Sequence, residues 1–176
     1  FYTHNGVSIV GGVLRAAKDT YISKELQGGS TITQQLVKSA LLTPERTVER
    51  KIKEMVLAVW TEQIYSKDEI LEMYLNQVPY GGSSYGIEEA SKTYFGKPAK
   101  DLTLEEAALL AGLPRAPSIY SPYVNPQLAE NRRDDVLARM LQEKYITQEQ
   151  YDKAVKSPLA VNPPKTNIQA PHFVFY

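Results

Sequence analysis

At 176 residues the chain fits one domain and is long enough to bury a substantial core. Twenty basic residues balance twenty acidic ones, which argues against a general polyanion binder such as a nucleic-acid protein and requires any anionic partner to be held by a local cluster. The absence of cysteine excludes disulfides, thiol catalysis and thiolate metal sites, and His4 and His172 lie too far apart in sequence to point to a histidine-rich metal site. No stretch approaches the roughly 20 apolar residues of a bilayer-crossing helix, and no signal-peptide pattern is present. A start at Phe1 reads as a processed protein or an excised piece.

Taken in chain order, the dominant pattern is helical. Gly28-Gly29-Ser30-Thr31 precedes a helical segment containing Leu36 and Val37. Glycines let a ligand approach the backbone, and a helix start offers unpaired N–H donors to an anion; an ordinary capped helix start gives the same pattern. Thr43-Pro44 fits an N-cap followed by proline at the first helical position. Behind it Val48, Ile52, Met55, Val56, Val59 and Gln63 follow a helical period, all apolar except the last. Ser66 and Glu69 form a capping-box pair ahead of Ile70, Leu71, Tyr74 and Leu75.

The segment 79–85, rich in Gly, Ser and Tyr, predicts a loop. Thr103 and Glu106 repeat the capping box ahead of the apolar run 107–113, which Pro114 stops. Asn125-Pro126 opens a helix carrying Leu128, Val136, Leu137, Met140 and Leu141, and Thr147 with Gln150 opens a last short one ending near Ser157-Pro158. Residues 158–176 are proline-rich and without helical period. The expected organisation is a mainly α domain over 1–157 and an extended linker over 158–176.

Placing residues 44–65 on a helix at about 100° per residue sets Arg46, Arg50 and Lys53 on one narrow stripe opposite the apolar face, with Glu54 beside them. Such a stripe suits a pyrophosphate, since arginine binds two phosphate oxygens at once and lysine adds a compact charge. A solvated face gives the same spacing. Arg46 in a first helical turn, where the dipole disfavours a cation, favours the anion-binding reading.

These segments together resemble glycosyltransferase family 51, the peptidoglycan polymerases of class A penicillin-binding proteins and their monofunctional relatives. Phe1, His4, Gly6, Arg15 and Ala16 resemble the end of its first motif; Gly28 through Leu36 with Lys38 resembles the second. Arg50-Lys51, Glu54, Ala58 and Glu62 match the third, and Lys67, Ile70-Leu71, Tyr74-Leu75-Asn76 and Gly81 the fourth. Ala107-Ala108, Leu110-Ala111, Leu113-Pro114, Pro117, Tyr120 and Pro122 match the fifth. Motifs in family order are far more specific than any one alone.

The resemblance implies a lysozyme-like, mainly α domain that polymerises lipid II. The 4-hydroxyl of the acceptor GlcNAc attacks C1 of the donor MurNAc, undecaprenyl pyrophosphate leaves, and a β-1,4 bond forms with inversion. That chemistry needs a base and fixed cations for the departing pyrophosphate. By resemblance Lys38 and Arg46 contact the pyrophosphate, with Ser30, Gln34, Gln35, Arg50 and Lys53 in the same substrate site and Glu54 as the family's second, catalytic glutamate. An Arg50–Glu54 ion pair at i,i+4 is the plain alternative for that glutamate.

The family's general base belongs to a Glu-Asp pair shortly before the position of Phe1, so residues 1–176 alone are expected not to polymerise. No cofactor is required, no metal ligand set is expected, and a divalent cation is left open. The implied partners are lipid II, the nascent glycan, the membrane surface through an N-terminal anchor, a transpeptidase domain and cell-wall synthesis proteins, at the extracytoplasmic face of a bacterial membrane. Residues 168–174 resemble the lead into such a transpeptidase domain. Two other readings make distinct demands: a lytic transglycosylase or lysozyme-like hydrolase would need a protonated carboxylic acid, and a helical interaction module would need no chemistry at all.

Overall fold

Side-chain caps account for most of the helix starts. In the computed structural model the described residues are 30–41 and 47–164, and the chain divides into two compact units, one up to Val78 and one from Pro79. The first-motif residues, Gly28-Gly29, Thr43-Pro44, Arg46 and the linker beyond residue 164 lie outside the described residues.

The first unit holds α1 (Ile32–Leu41), α2 (Val48–Ile64) and α3 (Lys67–Gln77), with α1 packed against both others. Thr31 and Gln34 make a reciprocal cap on α1: the Gln34 amide donates to Thr31 Oγ1 and the Thr31 amide to Gln34 Oε1, each at 3.2 Å. On α3 the expected Ser66/Glu69 box is complete, with the Ser66 amide 2.8 Å from Glu69 Oε2 and the Glu69 amide 3.3 Å from Ser66 Oγ. Leu36, Val37, Ala58, Ile70 and Val78 are the buried apolar residues among those described in this unit.

Two expectations for α2 need correction. It starts at Val48, because Thr47 is extended (φ −112°, ψ 155°) and its hydroxyl accepts the Arg50 amide at 3.1 Å. Thr47 therefore stands outside the helix as its N-cap. Its orientation is also the reverse of the one its apolar period predicts. Val48, Ile52, Val56, Trp60 and Ile64, each four residues from the next, are exposed, Trp60 to 60%. The buried positions are Glu54 and Ala58. Lys51, Glu54, Ala58 and Glu62 also recur at helical spacing; Lys51 and Glu62 hydrogen-bond to Ser30 and Thr33 at the α1 side. A helix apolar on more than one side leaves the choice of inner face to its polar partners.

The second unit opens on a hairpin rather than the expected loop. Strands β1 (Pro79–Gly81) and β2 (Ser84–Tyr85) pair antiparallel, with a register irregularity between Pro79 and Gly81. Gly81 sits at φ +111°, and a Cβ there would come within 2.9 Å of the Tyr94 hydroxyl, which itself donates to the Tyr80 carbonyl at 3.0 Å. Both the backbone angle and the space demand glycine.

Helix α4 (Ile87–Phe95) follows and stops on Gly96 in the left-handed region at φ 71°. Helix α5 (Leu104–Gly112) then leads into a 3₁₀ turn over Leu113–Arg115, at the expected Pro114 stop. Helices α6 (Pro126–Gln142) and α7 (Gln148–Lys156) complete the unit.

The main interface of this unit is α5 on α6, and Gly112 lets it close: a Cβ there would meet Arg132 Cγ at 2.9 Å. Ala108, Leu137, Ile146 and Ala154 form the core cluster, lined by Leu104, Val136, Met140, Leu141, Tyr151 and Val155. Thr147 and Gln150 cap α7 as expected, the amides and side chains meeting at 2.8 and 3.2 Å. Asn125 differs: its side chain donates to the Ile119 carbonyl at 3.0 Å, so α6 starts on the fixed φ of Pro126 without a side-chain cap. Residues 158–164 follow α7 without regular structure, and the Asn162 amide donates to the Tyr94 carbonyl at 2.7 Å. None of the helices among the described residues is long and apolar enough to cross a membrane.

Candidate active site

The unusual chemistry of the first unit gathers where α2 faces the start of α1. Glu54 is 1% exposed and its carboxylate is bridged by two cations, Arg50 Nη1 on Oε2 at 3.0 Å and Lys51 Nζ on Oε1. Lys51 Nζ also donates to Ser30 Oγ at 3.0 Å, so one ammonium ties the turn before α1 to the buried carboxylate. Burying a carboxylate costs several kcal/mol unless such partners offset it. Arg50 Nε is buried without a hydrogen-bond partner among the described residues.

The two glutamines of the GGSTITQQL run turn back on the same turn. Gln34 is engaged by Thr31 in the α1 cap. Gln35 Nε2 donates to the Ser30 carbonyl at 3.2 Å, and its Oε1 accepts from the Tyr74 hydroxyl of α3 at 3.4 Å. Burial pushes the Tyr74 phenol above its usual range, which keeps it a donor.

One turn further along, the buried Thr33 hydroxyl donates to Glu62 Oε1 at 2.5 Å, and Lys67 Nζ reaches the same oxygen at 2.8 Å. Thr33, Glu62 and Lys67 belong to α1, α2 and α3, so three helices meet on one carboxylate. The result is a turn whose Ser30 carbonyl is held by Gln35 of α1 and whose Ser30 hydroxyl is held by Lys51 of α2, with Tyr74 of α3 bonded in turn to Gln35.

The expected stripe does not form as drawn. Arg50 faces Glu54, whereas Lys53 is exposed and pairs at 2.6 Å with the equally exposed Glu49, whose carboxyl Lys53 holds below the usual range by hydrogen bond and by charge. Lys38 is exposed in the last turn of α1, where the helix dipole favours a cation. It stands about 9 Å along the axis from Ile32, the first residue of α1, at 1.5 Å per residue. Ser30, Gln34, Gln35, Arg50 and Glu54 are thus brought together, Lys38 and Lys53 stand apart from them, and Arg46 lies outside the described residues.

Lys51 is the residue that wheel spacing missed. It is 100° from Arg50 on the helix, and only its long stem carries the ammonium round to Glu54 at i+3. The Lys-x-x-Glu spacing was the available signal.

Residues 1–141 match the sequence profile of the transglycosylase family, and the chain belongs to that family. It is 52% identical over 162 residues to penicillin-binding protein 1A of Aquifex aeolicus, a match covering 92% of this chain and 22% of that protein. Against penicillin-binding protein 1A of Escherichia coli the identity is 48% over 176 residues, covering 99% of this chain and 20% of the relative. The fold is similar to the crystal structure of penicillin-binding protein 1A from Haemophilus influenzae, with a TM-score of 0.56 and 36% identity over 81% of this chain and 18% of that one. The chain spans about a fifth of the length of these relatives. These matches bear out the family resemblance and the mainly α, lysozyme-like class.

Proposed function

We propose that this chain belongs to a peptidoglycan glycosyltransferase domain that polymerises lipid II in the intact protein. The acceptor GlcNAc 4-hydroxyl bonds to C1 of the donor MurNAc as the bond from C1 to the pyrophosphate oxygen breaks. The hydroxyl proton passes to a base, undecaprenyl pyrophosphate departs, and the α linkage becomes β-1,4. The observation that carries this reading is the junction of Ser30, Lys51, Glu54 and Arg50. It fixes cations beside a hydroxyl-bearing turn, the provision a departing pyrophosphate requires.

Within this reading Glu54 organises cations rather than reaching sugar, given its burial. Lys38 and Arg46 contact the pyrophosphate, with Gln34 and Gln35 holding the turn and Lys53 adding charge at the rim. No cofactor is needed, a divalent cation being at most an aid to the pyrophosphate. The setting proposed is the extracytoplasmic face of a bacterial membrane, with the nascent glycan, a transpeptidase domain and cell-wall synthesis proteins as partners.

A lytic transglycosylase would instead need a carboxylic acid reaching the glycosidic oxygen, whereas the buried carboxylate here is already bound by two cations. The test is lipid II polymerisation by the intact protein. Lys38→Ala and Arg46→Ala are expected to abolish glycan extension while leaving the fold unchanged. Extension unaffected by either change would overturn the proposal, and cleavage of finished murein without lipid II would favour the lytic reading.

A further inference from the structure

We propose that Lys51 is a positioning residue that makes the Ser30 hydroxyl a donor to the departing pyrophosphate. The inference rests on the glycosyltransferase reading above and deepens it. An ammonium has three N–H donors and no acceptor. One of those of Lys51 goes to Ser30 Oγ at 3.0 Å and another to Glu54. With an incoming donor on its oxygen, the Ser30 hydroxyl has its own hydrogen free to point elsewhere, and a phosphate oxygen at the turn is the acceptor it suits. Charge on the ammonium also strengthens that outward donation, since chained hydrogen bonds polarise one another.

Glu54 fixes the ammonium from the far side. Buried to 1% exposure and itself held by Arg50, it stops the Lys51 stem from swinging away when an anion arrives. The Lys51 side chain remains 41% exposed, so the pair is not sealed from solvent. Negative charge on the leaving oxygen grows as the C1–O bond breaks, so the pair contributes more at the transition state than to the bound lipid.

The test is a double-mutant cycle in the intact protein, with lipid II as substrate and kcat and KM measured separately. Lys51→Met and Ser30→Ala are each expected to lower kcat about ten- to hundredfold, the range for one charge-assisted hydrogen bond, with KM changed less than threefold. The double variant is expected to be no slower than the slower single variant, because both remove one linked device. Lys51→Arg, which keeps a cation able to reach Glu54 and Ser30, is expected to recover most of the rate.

Additive losses in the cycle, or a loss confined to KM, would overturn the positioning role. So would an unaltered rate in Lys51→Met. Thermal unfolding of each variant separates these outcomes from misfolding, and Ser30→Ala, which removes only one hydroxyl, supplies the test if Lys51→Met proves unstable. The underlying reading fails separately: its failure is a wild-type protein that does not extend glycan. A wild-type enzyme that does, and that loses activity in Lys38→Ala but shows an additive cycle, sinks only the role of Lys51.

Discussion

The two units treat charge and apolar surface in opposite ways. From residue 79 onward the interior is filled with Leu109, Leu110, Leu113 and Leu137, and exposed pairs such as Lys92–Glu88 and Arg139–Glu143 stay outside. Between residues 30 and 78 helix α2 buries a carboxylate and shows a line of apolar side chains to the outside. Arg133 apart, its one buried charge among the described residues, the first arrangement is what burial energetics alone would select. The second violates them, and violations of local rules concentrate where function sets the terms. The difference singles out the surroundings of Glu54 as the region to test.

The comparison is sharpest at Glu54. Glu54→Ala leaves the half-buried Arg50 facing no carboxylate, which is expected to cost about 3–5 kcal/mol in denaturant unfolding and to reduce glycan extension by the intact protein at least about a hundredfold. A variant that unfolded at wild-type denaturant concentrations would show that the buried pair carries no stability. In the other unit the largest effect should come from pure packing. Leu137→Ala, at a fully buried core position, is expected to cost about 2–5 kcal/mol by the same measurement, through transfer and cavity terms together.

Acid should weaken the second unit through Glu106. Its partial burial opposes ionisation, but the Lys97 ammonium and the Thr103 cap outweigh it and hold the carboxyl below its ordinary value of 4.5. A depressed folded-state pKa gives stability that is complete above the unfolded value and lost as pH falls through the folded one. The Tm difference between wild type and Glu106→Gln should therefore be full at pH 7 and shrink below about pH 4.5. A difference that grew on acidification would reverse the assignment.

The smallest effects should fall on the outward line of α2. Ile52→Thr and Trp60→Ser are expected to move stability by no more than about 0.5 kcal/mol, roughly a tenth to a quarter of the Leu137 effect. Losses of core size there would mean that these side chains are buried after all.

How much of this was legible in the sequence follows from the same contrast. The caps at Ser66, Thr103 and Thr147 were readable because a cap is a local event three residues long. Helix α4 was not foreseen. Its inner face of Ala90, Ser91 and Tyr94 is short on large aliphatics, and its ends are glycines rather than side-chain caps, although Gly96 was a usable stop signal.

The inversion of α2 was beyond periodicity, since its apolar residues marked a face without saying which way it turned. What settled the matter was the long-range partners Ser30 and Thr33, and those are invisible to spacing within one helix. Motif order, by contrast, identified the family because it samples the whole chain at once.

Arg133, 1% exposed on α6, donates to the Ser157 carbonyl at 2.8 Å and to the Val155 carbonyl at 3.2 Å. Together with the bond from the Asn162 amide to the Tyr94 carbonyl, this fastens the stretch after α7 at two points. Tension applied to the chain at Pro164 would thus bear on α4 through Tyr94 and on α6 through Arg133 as well as on the last turn of α7. The chain leaves this unit as a strapped cable leaves its housing, with strain shared between the clamp and the winding.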